Sequence, residues 1–338
     1  MRANTRRVTI TDVGAAAGVS PATVSRVLNG TAKVDAVLAG RVQAAVRTLG
    51  YRPNAAAQGL AKGRWGTIGV LVPDLANPYF PEILKAVSAV ARANGHRVMI
   101  MESEENPAVE PELVADLLRS CDGLLLCSPR MPRDQLVELA DRGHPMVLVN
   151  RIVPGLAVPS ISVDFSGGTT LICGHLAQLG HRDVAYLSGP EASWANAERI
   201  RALEAAAAFG LRLTVIPCGG TAADGYAAAD QIRRTPATAV VTYNDLVAQG
   251  ALSRLRELGV DVPADLSVVG FDNLSLDWTG QATLTTVSMP RDQLGRQAAT
   301  LLEHLMTGTP DTNPHLLPAD LLVHQSTAPP RTHPTHSP

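Results

Sequence analysis

Ser20, Thr23, Ser25, Arg26 and Asn29 fall within ten residues of one another. They carry the groups that grip nucleic acid: hydroxyls and an amide for phosphates and bases, and a guanidinium that can span the two acceptors of a guanine edge. A second set of polar residues follows short β-branched runs: Asn77, Asn150 with Arg151, Asp164, Asn244 with Asp245, and Asp272 with Asn273. Each alone is more often a turn residue or a helix cap. Five at equivalent strand ends point to a binding site. Tyr79, Phe80 and Trp194 are the rings that could stack on a flat or ring-shaped ligand, although in a chain only 4% aromatic they serve equally well as core. Carboxylate, amide and guanidinium groups beside aromatic faces suit a polyhydroxylated ligand such as a sugar or nucleoside. Support for catalysis is absent: no Gly-rich phosphate loop, HExxH or GxSxG occurs. Cys173, His175 and His181 lie close together, but the two histidines are six apart and cannot share a helical face as metal ligands would. No cofactor, metal or enzymatic activity is expected.

Charge separates the two sets. Residues 1–64 hold ten Lys/Arg against Asp12 and Asp35, a balance of +8 that leaves −10 on the remainder of a chain whose net charge is −2. A basic head on an acidic body implies a polyanion-binding module attached to something else. The 338 residues are 46% hydrophobic and 18% charged, which fits two or three globular units and excludes wholesale disorder. No apolar run approaches the roughly 20 residues of a membrane span, and none follows the basic start as an export signal would require. The four cysteines form no CxxC pair and read as reduced thiols. A cytoplasmic location without membrane contact is expected.

The elements that must position these groups can be read from periodicity. Residues 9–18 predict a short helix with Ile10, Val13 and Ala17 inward and Gly18 closing it. Ser20 as cap and Pro21 at the first helical position open a second, buried along Val24, Val27 and Leu28. A third runs from about Val37 to Leu49. The pattern describes a helix-turn-helix, or a three-helix bundle with incidental arginines. Residues 54–62 favour a helix too short to hold in water alone, weakened further by Gly59. From Thr67 onward, strands near 68–73, 97–101, 123–127, 146–149, 184–187, 213–216, 239–242 and 267–270 alternate with helices, which predicts two parallel-sheet α/β lobes with a ligand cleft at the strand ends. The Pro-, His- and Thr-rich stretch from Ala328 to Pro338, which contains His333 and His336, is expected to be disordered.

Residues Val8 to Asn29, followed by Leu49-Gly-Tyr-Arg-Pro-Asn54 and the alanine-rich stretch to Ala61, resemble the N-terminal signature and hinge of the LacI/GalR family of bacterial transcription regulators. The resemblance implies a three-helix DNA-binding head over residues 1–53, a hinge over 54–65, and an effector-binding and dimerisation body over 66–327 similar to periplasmic binding proteins, with crossovers near Asp164 and Pro290. The disordered tail would then be 328–338. It implies base selection by Pro21, Ala22 and Arg26. Thr9, Ser20, Thr23, Ser25, Asn29, Tyr51 and Asn54 would contact backbone or groove edges, and Leu60 would wedge between base steps in the minor groove. The hinge is otherwise a flexible linker with one incidental leucine. In the body the resemblance implies effector contacts from Asp272 and from Arg199, with Arg201 as a rival. The implied function is a ligand-responsive repressor. Since one recognition helix reads only a few base pairs, it would bind palindromic double-stranded operator DNA as a homodimer, or as a tetramer. Helices near Pro78 to Val90 and Ser253 to Leu258 are the candidate dimer faces.

Overall fold

The computed structural model describes residues 8–29, 34–51, 65–274, 283–309 and 311–331. The chain divides into two compact units, Met1–Trp65 and Gly66–Pro338. Asn54 and Leu60 lie outside the described residues, as does the rest of the expected hinge through residue 64.

In the first unit, helix α1 (Ile10–Ala17) starts on a capping box in which Thr9 and Asp12 satisfy each other's exposed backbone donors. It ends at Gly18, whose positive φ of 65° is the left-handed turn that a side chain would resist. Helix α2 (Pro21–Asn29) begins where the Ser20 hydroxyl accepts from Thr23 N, and α3 (Ala36–Leu49) begins on the Asp35 carboxylate. Val13, Ala17, Val24, Val42 and Ala45 close a small core among the three.

In the second unit, β1 (Thr67–Val72), β2 (Arg97–Glu102), β3 (Gly123–Cys127), β4 (Met146–Val149) and β5 (Ser160–Val163) alternate with α4 (Tyr79–Ala93), α5 (Glu110–Leu118) and α6 (Arg133–Asp141). With β11 (Pro314–Leu317) they form a six-stranded parallel sheet in the order β11-β5-β4-β3-β1-β2. Both faces are covered: Ile68, Val70 and Val72 enter one apolar cluster while Leu71 enters the opposite one, so the strand reads as a continuous apolar run. After α7 (Phe165–Leu179) a second parallel sheet follows, with β6 (Asp183–Ser188), β7 (Arg212–Pro217), β8 (Ala239–Thr242) and β9 (Ser267–Val269) in the order β7-β6-β8-β9. Its helices are α8 (Trp194–Ala205), α9 (Ala222–Ile232) and α10 (Asp245–Glu257).

Strand β10 (Thr286–Ser288) lies beside the end of β9, α11 (Arg291–Thr307) returns to pack on α4, and β12 (Asp320–Leu322) pairs with β10. The chain therefore passes between lobes after Asp164, at Met289–Pro290, and again between β11 and β12. The third passage escapes sequence reading because β11 opens on a proline and both strands pair with partners far away in the sequence. Strands β5 and β10, in which two residues of three or four are serine or threonine, escape as well.

The segment after residue 327 differs from its expectation at its first residues. The Ala328 carbonyl accepts from Ser267 Oγ at 3.1 Å and lies 2.9 Å from His181 Nε2, and Arg331 pairs with Asp265; residues 332–338 lie outside the described set. His181 is buried between Thr238, Ser267 and this carbonyl, and desolvation lowers its affinity for a proton. Among the described residues no group of His, Cys, Asp and Glu is placed to hold a metal ion, and no helix is long and apolar enough to cross a membrane.

Candidate functional site

Two surfaces carry the sequence-predicted residues. On the head, positions 21, 22, 25 and 26 share one side of α2, opposite the buried Val24. Pro21, Ala22 and Arg26 are exposed, Thr23 and Ser25 half-buried, and the Arg26 Nε donates to the Ala22 carbonyl at 3.3 Å. The side chain of Asn29 is outside the described set. Thr9 spends its hydroxyl on the Asp12 carboxylate at 2.7 Å, and Ser20 Oγ and Thr23 Oγ1 lie 3.0 Å apart. Tyr51 is half-buried against the core of the three helices. Both acidic residues of the head are helix caps, so they sit where partial positive charge already exists. Arg26, Arg41 and Arg47 are exposed. The outer side of α2 therefore presents one cation, Arg26, beside the hydroxyls of Ser20, Thr23 and Ser25, a combination suited to phosphate and base edges.

On the body, a cavity of about 420 Å³ opens between the lobes, within the range that takes a small ligand. Asn77, Tyr79, Phe80, Asn150, Arg199, Asn244 and Asp272 all line it. Arg199, 3% exposed, is the least satisfied of them. Its guanidinium lies 3.9 Å from the Phe271 ring centre, 4.8 Å from that of Phe165 and 4.9 Å from that of Tyr243. Its Nη2 is 3.9 Å from Asp272 Oδ1, and its Nε and Nη1 have no hydrogen-bond partner. A buried cation with unused donors is costly unless something else completes it. Asp272 is held at a φ of 107°, a strained conformation outside glycine, by the bridge of its backbone to β10.

The remaining lining residues hold the walls. Asn150 Nδ2 donates to the buried Tyr79 hydroxyl at 2.7 Å, tying β4 to α4. Asn77 and Asn244 do serve as caps, accepting from Tyr79 N and Val247 N, and this use fixes their side chains at the rim. Arg291, the first residue of α11, donates to the carbonyls of Asp272 and Asn273 while pairing with Glu82 of α4 at 2.6 Å. The strand end that carries Asp272 is thereby bound to the other lobe.

Three expected residues are not brought in. Asp164 turns its carboxylate onto Gly167 N at 2.7 Å as the cap of α7. Trp194 packs edge-on behind Phe165, whose ring takes the place at the cavity wall. Arg151 is half-buried but does not line the cavity. Arg201 is exposed and paired with Glu198, so Arg199 is the arginine at the cleft. Residues that sequence reasoning passed over include Ser128 and Arg130 after β3, Glu102 at the end of β2 with Glu104 and Glu105 after it, and Tyr243 after β8. All obey the strand-end rule, but they are not the Asn or Asp to which the rule was applied.

Residues 9–54 match the family described as "Bacterial regulatory proteins, lacI family", and residues 173–327 match the periplasmic binding protein-like domain. Over 328 residues the chain is 32% identical to the HTH-type transcriptional repressor CytR of Escherichia coli strain K12, covering 94% of this chain and 96% of that protein. The chain belongs to the lacI family of bacterial regulatory proteins. Among solved structures, this lacI-family chain is similar to the Lac repressor dimer bound to operator and the anti-inducer ONPF, with a TM-score of 0.83, 29% identity, and coverage of 96% and 100% of the two chains. It is also similar to the transcriptional regulator CelR in complex with cellobiose, with a TM-score of 0.69, 29% identity, and 95% and 100% coverage. It is a DNA-binding transcription regulator, as its relatives are, and not an enzyme.

The cleft gives this lacI-family regulator a measurable pH dependence. Burial pushes the Asp272 carboxyl up to about 8 and that of Asp245, beneath it, up to about 7. A carboxyl whose folded value exceeds its unfolded one contributes most stability below the unfolded value of about 3.9, and that stability is lost as pH rises through the folded value. The body is therefore expected to lose stability between about pH 4 and 8 relative to Asp272→Asn, by on the order of a few kcal/mol. Urea unfolding of both proteins across that range measures the difference; a gap that does not change with pH would contradict the assignment.

Proposed function

We propose that this regulator is a repressor that binds a palindromic operator as a homodimer and releases or tightens on it when a sugar or nucleoside occupies the cleft. The observation that carries the reading is Arg199: a buried guanidinium with two unused donors, ringed by three aromatic faces, beside the carboxyl group of Asp272. Hydroxyl and ring oxygens of a sugar accept from such a group, while Asp272 accepts from the hydroxyls. The sugar bound by CelR and the operator bound by the Lac repressor dimer support the two halves of the reading.

On DNA, Arg26 supplies most of the polar base recognition, because Pro21 and Ala22 offer none. Thr9, Ser20, Thr23, Ser25, Asn29, Tyr51 and Asn54 would bind backbone or groove edges, with Leu60 of the hinge in the minor groove. Two heads are needed because one helix reads only a few base pairs. The helices α4 and α10 are the proposed dimer faces, and the protein works in the cytoplasm, where its DNA is. Arg26→Ala is expected to weaken binding to operator DNA by about 1–3 kcal/mol and to flatten discrimination among base substitutions. Gel-shift titration against a set of singly substituted operators reads both effects. Unchanged discrimination would remove Arg26 from base recognition.

A further inference from the structure

The charges around the cleft are unbalanced. Asp74, Glu102, Glu104 and Glu105 of the first lobe and Asp224 of the second line it as carboxylates, against two guanidinium groups, Arg130 and Arg199. Arg130 is already committed: it donates to Glu105 Oε1 at 2.8 Å and to the Ser128 carbonyl at 3.1 Å, and its Nε pairs with Glu105 Oε2. Only Arg199 retains free donors, and its Nη2 lies 3.9 Å from Asp272 Oδ1.

One feature opposes this. The N-termini of α4, α9 and α10 reach the cavity through Asn77, Thr221 and Asn244, and helix N-termini attract anions. Each is already closed by a side chain of its own: Asn77 on Tyr79 N, Asn244 on Val247 N, and Thr221 with Asp224 in a capping box. The third cap even adds a carboxylate. With one N–H of each helix end capped and Arg130 neutralised, an incoming anion would meet one arginine, Arg199, among the carboxylates of Asp74, Glu102, Glu104, Glu105 and Asp224.

We propose that the cleft takes an uncharged or amine-bearing polyhydroxylated ligand and rejects its phosphorylated and carboxylated forms. This rests on the sugar or nucleoside reading of the site. Arg199 Nε and Nη1 donate to ligand oxygens, while the carboxylates accept from hydroxyls or from an ammonium group. An added phosphate or carboxylate must approach like charges in a partly enclosed space, where screening is weaker than in bulk water.

The test is calorimetric titration of the full chain with matched probes: glucose, glucosamine, glucose 6-phosphate and glucuronate, then ribose, ribose 5-phosphate, cellobiose and adenosine. For any skeleton that binds, the anionic form is expected at least tenfold weaker than the neutral one. The amine should bind at least as well as the neutral form, and the anion's deficit should narrow in higher salt. Glu104→Gln, at an exposed position on the rim, should narrow it as well. A phosphate or uronate that binds as tightly as its neutral parent overturns the proposal while leaving the polyhydroxylated reading intact. Absence of binding by every probe would sink that reading and this proposal with it.

Discussion

Replacing Arg199 with methionine is expected to weaken sugar binding at least a hundredfold while leaving operator affinity within about a factor of two. Two charge-assisted hydrogen bonds, each worth about 1.5–3 kcal/mol, are removed, and a hundredfold corresponds to about 2.7 kcal/mol. Methionine keeps the apolar contact with Phe165, Tyr243 and Phe271. The unliganded body is expected to be as stable as before, or more so, because a buried cation with two unpartnered nitrogens is replaced by an apolar side chain. Ligand titration and thermal unfolding of one preparation check both signs. Strong destabilisation together with retained sugar binding would show that Arg199 is a structural ion and not a ligand-binding one.

The second large effect concerns the wall beneath the site. Helices α9 and α10 touch through glycine: a Cβ at Gly250 would lie 1.8 Å from the Ala222 carbonyl oxygen, and one at Gly225 would lie 2.1 Å from that of Val247. These are backbone atoms, which cannot swing aside. Gly250→Val must push the helices apart, at an expected cost of about 4 kcal/mol or more, a large fraction of a typical total of 5–15 kcal/mol. Since Thr221 and Asp224 on one helix and Asn244 at the start of the other line the cavity, ligand binding should fall with stability. Gly174 of α7 has open space around its would-be Cβ, so Gly174→Ala should be neutral or stabilising. Chemical denaturation of the two variants measures the contrast; equal stability would mean the helices pack more loosely than their backbones indicate.

The head was legible because its signals are local. Ser20-Pro21 opens a helix, Gly18 closes one, and apolar residues every third or fourth position mark the inward face. The long strands of the body were legible because parallel strands covered on both faces are unbroken apolar runs, as in β1 and β3. Strands β5, β10, β11 and β12 were not, although the equally short β4, β8 and β9 were: β11 joins β5, and β12 joins β10, by contacts that no local pattern records.

The cleft was half legible for a related reason. Polar residues after strands were found where they were Asn or Asp, but some of those serve only as caps, and Asp164 is one. Arg130 and Glu105 could not be assigned from sequence, because their meaning lies in a pairing across twenty-five residues. Trp194 offered a ring to stack on a flat ligand, but it packs against Phe165, and it is Phe165 that faces the cavity.

The coupling between head and cleft is tested most directly by titrating labelled operator duplex with the full chain, with and without a saturating amount of the best-binding sugar or nucleoside. Operator affinity should change at least fivefold in one direction, and the sugar's affinity should change by the same factor when DNA is present. Equal operator affinity in both titrations, from a protein that demonstrably binds both molecules, would contradict control of the head by the cleft.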